Sequence, residues 1–261
     1  EYSERSAIEL EKKILSIGPE KICAFVGETI AGGLIGDVPP SKNYWKKIRK
    51  ICNKYNIHLI LDEVWCGTGT SGKIFCFDWD NIAPDFVFIS KTLAAGYGAL
   101  SAVITHNKIT DLISKKSGQI FYSNTHQGHS LSVAAALSVQ KIIHKNEFLK
   151  NVNKKGSFLK NTLTSELSGN DFFYNVRGRG LRNSLEYNTD NNQKFGNFIK
   201  KQMLNKKIFI DAKWHRVAFP LALNISHKEL EQNLNIFLET FKKIQKKWPL
   251  LKKESINTPT F

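Results

Sequence analysis

Asp62 and Lys91 are the pair whose types and settings could do chemistry together. Each stands at the end of a short apolar run: Ile57-His58-Leu59-Ile60-Leu61 leads into Asp62, and Phe86-Val87-Phe88-Ile89 leads through Ser90 into Lys91. Runs of this length, rich in aliphatic and aromatic residues and near-continuous rather than alternating, read as buried parallel strands. Both charged groups should then emerge at the carboxyl edge of one sheet, where open α/β sheets bind ligands. An amine and a carboxylate delivered there suit Schiff-base chemistry, in which the lysine captures an aldehyde and the carboxylate holds a protonated ring nitrogen. Pyridoxal phosphate offers both groups. Taken singly, an Asp and a Lys at strand ends are more often ordinary solvated charges, so the neighbouring residues decide.

Those neighbours form an ordered series: Asp62-Glu63-Val64, then Gly67, Gly69 and Gly72, then Pro84-Asp85, then Ser90-Lys91-Thr92-Leu93 and Gly96-Tyr97. The series resembles the DEV-x-x-G-x-G-x-x-G, P-D and K-x-L-x-x-G-Y motifs of class III pyridoxal-phosphate aminotransferases. The resemblance extends from about Leu10 to about Phe241. It implies fold type I: an α/β chain with the C-terminal part of a mostly parallel-sheet, cofactor-binding large domain at 1–145 and a small α+β domain at 146–261. Lys91 would hold the cofactor's aldehyde and then move a proton between substrate and cofactor. Asp62 would keep the ring nitrogen protonated, and Val64 would pack on the ring face. Thr125, in the segment Phe121 to His129, matches a T-Y-S-G-H-P motif whose threonine reaches the phosphate bound by the neighbouring subunit. A hydroxyl and backbone amides just ahead of a helix suit an anion in any case, although Thr125 as a simple helix cap remains open.

On the substrate side the resemblance implies Glu28, from an E-P-x-x-G motif, and Arg216, from an R-x-x-P-P-L motif. Arginine suits a carboxylate because its planar fork makes two parallel hydrogen bonds. A polar rim residue and a surface ion pair are the respective alternatives. This chain departs from the family at Thr29, where a proline is usual, and at Thr68, Thr70 and Ser71, which replace the F, R and T of G-F-G-R-T-G. Gly33 stands where enzymes of γ- and δ-amino acids often carry a glutamate. The implied partners are a small-molecule amino donor, an amino acid or ω-amine, and a 2-oxo acid acceptor such as pyruvate, in a homodimer with shared active sites. An aminomutase, a decarboxylase on the same cofactor, and a non-catalytic scaffold subunit are the competing readings. The chain opens inside a helical pattern and lacks the Gly-Ser-x-x segment that cups the cofactor phosphate, so it is expected to be incomplete and, alone, aggregation-prone and poor at binding cofactor.

The surrounding elements must position these residues. Helices are expected at Ser3–Ser16, Tyr44–Tyr55, Asn107–Lys115, Ser130–His144, 147–168, Gln193–Leu204 and Ser226–Gln245, with a loose tail beyond. Strands are expected at Ile22–Val26, Leu100–Ile104, Phe172–Val176 and Leu181–Tyr187. Gly178 and Gly180, within Val176-Arg177-Gly178-Arg179-Gly180-Leu181, serve a tight turn or bulge between strands. The glycines after Asp62 are not a dinucleotide loop, because Pro84 arrives before a helix of βαβ length could form. His126 and His129 are expected to orient backbone.

The net charge of +15 comes from 38 Lys and Arg against 23 Asp and Glu. The basic residues are mostly lysines spread over helices, without a block interleaved with stacking aromatics, so no nucleic-acid partner is expected. No segment reaches the ~18 to 20 apolar residues of a membrane span, and no signal peptide is evident, so a cytoplasmic location is expected. Cys23, Cys52, Cys66 and Cys76 form no Cys-x-x-Cys pair and read as buried free thiols, with no metal site.

Overall fold

A computed structural model describes residues 2–33, 35–119 and 124–253. The chain separates into two compact units. One comprises Glu1–Ile30, Pro40–Gly69 and Lys73–Leu149; the other comprises Ala31–Pro39, Thr70–Gly72 and Lys150–Phe261.

The first unit contains α1 (Tyr2–Ile17), β1 (Ala24–Glu28), α2 (Tyr44–Lys54), β2 (His58–Asp62), β3 (Phe86–Ile89), β4 (Ala102–Thr105), α3 (Asn107–Ser117) and α4 (Ser130–Ile143). Its four strands are ordered β1-β2-β3-β4, the first three parallel and β4 antiparallel to β3. Ala7 and Ile14 of α1 pack with Trp45, Ile48, Ile51 and Cys52 of α2 and with Leu59 and Leu61 of β2. The strands are not buried on both faces as their apolar runs suggest. In β2, Leu59 and Leu61 are buried while Ile60 is only partly so, and Val26 of β1 is 55% exposed. The alternation arises because one face packs on α1 and α2 while the other has less cover among the described residues.

Local chemistry accounts for the strand ends. Asp85 of the Pro84-Asp85 pair sits just before β3 and accepts from Leu59 N at 2.7 Å and Arg49 Nη1 at 2.7 Å. Burial alone would raise its pKa, but these two donors outweigh it and hold the carboxyl below the usual range. Asp85 therefore ties β3 to β2 and α2 at the end of the sheet opposite Asp62.

Beyond α5 (Asn146–Leu167), the second unit contains β5 (Phe173–Arg179), β6 (Arg182–Tyr187), α6 (Asn192–Asn205), β7 (Asp211–Lys213), β8 (Arg216–Ala218) and α7 (His227–Leu251). Its antiparallel sheet is ordered β5-β6-β8-β7. Gly180, at φ +57°, and Leu181 form the two-residue turn between β5 and β6, which pair through Arg179 and Arg182. Gly180 is thus a turn device, taking a left-handed conformation disfavoured for other residues, while Gly178 lies within β5 opposite Asn183. The short strands β7 and β8 are absent from the sequence reading; three residues each is too brief to show a period. α7 starts at Ser226, whose hydroxyl accepts from Glu229 N while Glu229 accepts from Ser226 N. It runs past Gln245 to Leu251 rather than ending in a loose tail. Trp248 anchors that extension, buried against Phe195 and Phe198 with its Nε1 donating to Asp190 at 2.6 Å. Residues 254–261, the end of the expected tail, lie outside the described residues.

Candidate active site

The parallel register brings three charged groups to one edge. Glu28, the last residue of β1, pairs with Asp62, the last residue of β2, and Asp62 pairs in turn with Phe88 of β3. Lys91 follows Phe88 by three residues, so it leaves the same carboxyl edge. Asp62 is half-buried, while Glu28 and Lys91 are exposed. Ser90 donates to Leu100 O at 2.9 Å, and the chain then enters a short 3₁₀ turn over Lys91–Leu93. Lys91 has φ +45°, a left-handed conformation uncommon for a residue with a Cβ. Such strain persists only where the surroundings impose it and recurs at functional positions. Here Ala94 N and Ala95 N both donate to the Lys91 carbonyl, at 3.3 and 3.0 Å.

Glu63 holds the loop after Asp62 in place. It is buried, accepting through Oε1 from Thr29 Oγ1 at 2.9 Å and Phe77 N at 2.8 Å, and through Oε2 from Cys76 N at 2.6 Å. Burial pushes its pKa up to about 7, against the opposing pull of those donors. Its carbonyl accepts from Gly67 N at 2.9 Å, and a Cβ at Gly67 would lie 2.8 Å from that oxygen, so the turn requires glycine. Thr29, where the family has proline, thus supplies a hydroxyl to Glu63 that proline could not. Asp62 Oδ1 accepts from Val64 N at 2.9 Å. Trp65 follows, and the Lys91 ammonium lies over its ring at 5.3 Å from the centroid. The sequence reading passed over Glu63 and Trp65; the signal for Glu63 was a carboxylate within an apolar stretch, with nothing local to name its partners.

Glu63, Cys66 and Cys76 place three metal-ligating atoms within 4.8 Å of one another, a grouping that residue spacing concealed. Both carboxylate oxygens already accept hydrogen bonds, and the Cys66 thiol is pushed well up by its hydrogen bond to Cys76 and by burial. The three side chains form a hydrogen-bonded piece of the core. All four cysteines are free, but Cys23 is exposed rather than buried.

Thr125 lies exposed in the turn before α4, whose N-terminus is capped by His129 Nδ1 accepting from Ser132 N at 3.4 Å. The cap is therefore His129, not Thr125. Phe121, Tyr122 and Ser123 of the same motif lie outside the described residues.

Arg216 belongs to the second unit and is buried there. Its Nη2 donates to Asp211 Oδ2 at 3.0 Å and to Gly33 O at 2.7 Å. In the same unit Arg177 donates to Ile35 O and Gly36 O, and Arg182 and Ser184 both donate to Asp37. Three arginines of the antiparallel sheet thus hold Gly33, Ile35, Gly36 and Asp37.

The class-III aminotransferase family matches residues 1–241. The chain belongs to this family. Among curated relatives, the chain is 32% identical to γ-aminobutyrate transaminase 2 of Solanum lycopersicum over 97% of its own length and 57% of that protein. It is 35% identical to an aminotransferase of Gibberella zeae over 81% of the chain and 41% of that protein. Among solved structures, a thermostable omega transaminase from Pseudomonas jessenii superposes with a TM-score of 0.87 at 29% identity, covering 95% of the chain and 56% of that structure. The chain thus spans roughly half the length of the curated relatives it matches.

Proposed function

We propose that the protein carries out pyridoxal-phosphate-dependent transamination, moving an amino group from an amino acid or ω-amine to a 2-oxo acid such as pyruvate. The observation that carries this reading is the register that sends Asp62 and Lys91 off the same edge of adjacent parallel strands. An exposed amine and a half-buried carboxylate, one of whose oxygens is held by Val64 N, fit an aldehyde and a ring N–H respectively. When bound, the cofactor supplies an electron sink for the carbanion left at the substrate's α-carbon. Lys91 would hold the cofactor's aldehyde and carry the proton at the substrate's α-carbon. Asp62 accepts the hydrogen bond of the ring nitrogen and keeps it protonated. Val64 would pack on the ring, and Thr125 would donate to the phosphate across a homodimer.

Glu28 lies on the substrate side, where its register partner is Asp62. Arg216 is held by Asp211 and Gly33 O and would receive a substrate carboxylate only by exchanging Asp211 for it. The missing glutamate at Gly33 favours an ω-amino acid or amine over ornithine or γ-aminobutyrate, in keeping with omega transaminase neighbours. The relative named for γ-aminobutyrate leaves that donor in the test panel. Its four free thiols accord with the reducing cytoplasm as compartment, and no helix among the described residues is long and apolar enough to cross a membrane.

The test is reductive trapping with pyridoxal phosphate and cyanoborohydride, read by peptide mass spectrometry, followed by an amine panel with pyruvate and 2-oxoglutarate as acceptors. Label at Lys91 and amino transfer are expected. Label confined to other lysines would overturn the assignment, and products other than the exchanged amine and 2-oxo acid would favour an aminomutase or decarboxylase.

A further inference from the structure

Trp65 lies three residues after Asp62, in a turn with little freedom. Asp62 Oδ1 holds Val64 N, Glu63 O holds Gly67 N, and the Glu63 carboxylate is pinned by Thr29, Cys76 and Phe77. The backbone that carries the half-buried indole is thereby fixed. Lys91 is the opposite: a long, exposed side chain on a backbone locked by its 3₁₀ turn, with four rotatable bonds left to place the amine. That amine rests over the Trp65 ring at 5.3 Å from the centroid, within the range of attraction between a cation and the negative face of an aromatic ring.

We infer that Trp65 is a positioning residue for Lys91, its indole face holding the amine at the carboxyl edge where Asp62 also emerges. This rests on the proposed role of Lys91. The contact removes rotamers that carry the amine into solvent, and that ordering precedes capture of an aldehyde. On capture the nitrogen would bond to the aldehyde carbon while two hydrogens of the ammonium leave with the carbonyl oxygen as water; the nitrogen stays cationic, so its attraction to the ring carries over to the captured form, and added hydride then fixes the product as a secondary amine.

The test uses the intact protein, pyridoxal phosphate as probe and cyanoborohydride as hydride donor, with label at Lys91 measured against exposed Lys115 of α3 in the same sample. Trp65→Leu is expected to raise the half-saturating cofactor concentration for Lys91 by about two- to fivefold, the range for an exposed cation–π contact, and to leave Lys115 unchanged. Trp65→Phe, which keeps an aromatic face, is expected to restore most of the difference. Fluorinated tryptophan, which keeps the shape and drains the ring face of electron density, should weaken Lys91 labelling in the same sense and serves if Trp65→Leu does not fold. Equal labelling in wild type and Trp65→Leu, equal losses in the Leu and Phe variants, or indifference to fluorination would overturn the inference. Absence of Lys91 label in the wild type would instead refute the role of Lys91 itself.

Discussion

Both sheets of this protein carry charged residues on their strands, and they use them in opposite ways. In the parallel sheet, Glu28 and Lys91 are exposed and Asp62 is half-buried, with one carboxylate oxygen engaged by a neighbouring amide. In the antiparallel sheet, Arg216 is buried on Asp211 and Gly33 O, Arg182 is paired with Asp37, and Arg177 pairs with Glu186 at 3.0 Å while also holding the Ile35 and Gly36 carbonyls. The difference teaches that charges on a sheet can be spent inside the fold or kept at its surface: the arginines of the antiparallel sheet are engaged by neighbours, whereas the charges of the parallel edge stay partly or wholly exposed. An arginine read from sequence as a substrate ligand is here first a structural clamp. Its burial is offset by the Asp211 carboxylate and the Gly33 carbonyl that its Nη2 meets.

The largest expected effect breaks the reactive side of the comparison. Lys91→Ala should abolish the protein-bound cofactor absorbance and lower turnover by several decades, since no other lysine leaves that strand end. Retained, borohydride-trappable cofactor in the variant would end the assignment. On the clamped side, Arg216→Ala should cost about 3 to 5 kcal/mol of stability, as expected for breaking a buried pair, measured by chemical denaturation, with carboxylated and simple amine donors losing activity alike. If stability holds and carboxylated donors alone weaken, by about 1.5 to 3 kcal/mol, Arg216 is a substrate ligand and the contrast between the sheets collapses.

Asp62→Ala is expected to leave the cofactor attached at Lys91 but to slow turnover by about a hundredfold, on the order of losing one preorganised electrostatic partner; wild-type kinetics would remove Asp62 from the site. The smallest effect concerns Glu63, whose pKa rises from 4.5 to about 7 in the folded chain. Because the folded state holds that proton more tightly than the unfolded one, this contribution to stability is fully present below pH 4.5 and is lost as pH rises through 7. The unfolding free energy from chemical denaturation should therefore decline between pH 5 and pH 8 by on the order of 2 kcal/mol, and Glu63→Gln should flatten the decline. An unchanged slope in Glu63→Gln would show that the pH response lies elsewhere.

The residues themselves determined much of this protein. Apolar runs ending in Asp62 and Lys91, with Pro84-Asp85 between them, were sufficient for two neighbouring strands, their common edge and the chemistry suited to it, because a strand end is a local property of the chain. The helix at Ser226 was equally legible, since a capping box lies within four residues. The arginine clamp was not. Arg216 and Gly33 are 183 residues apart in sequence, and Arg182 and Asp37 are 145 apart, so only the packed fold brings donor to acceptor. The same holds for Glu63, whose partners Thr29 and Phe77 arrive from either side along the chain, and for Trp65 beneath Lys91. Periodicity and motif specify where each backbone segment goes and which side chains it carries. Whether a given charge is spent on a neighbour or left for a ligand depends on burial and on partners distant in sequence, and these exist only once the sheets have formed.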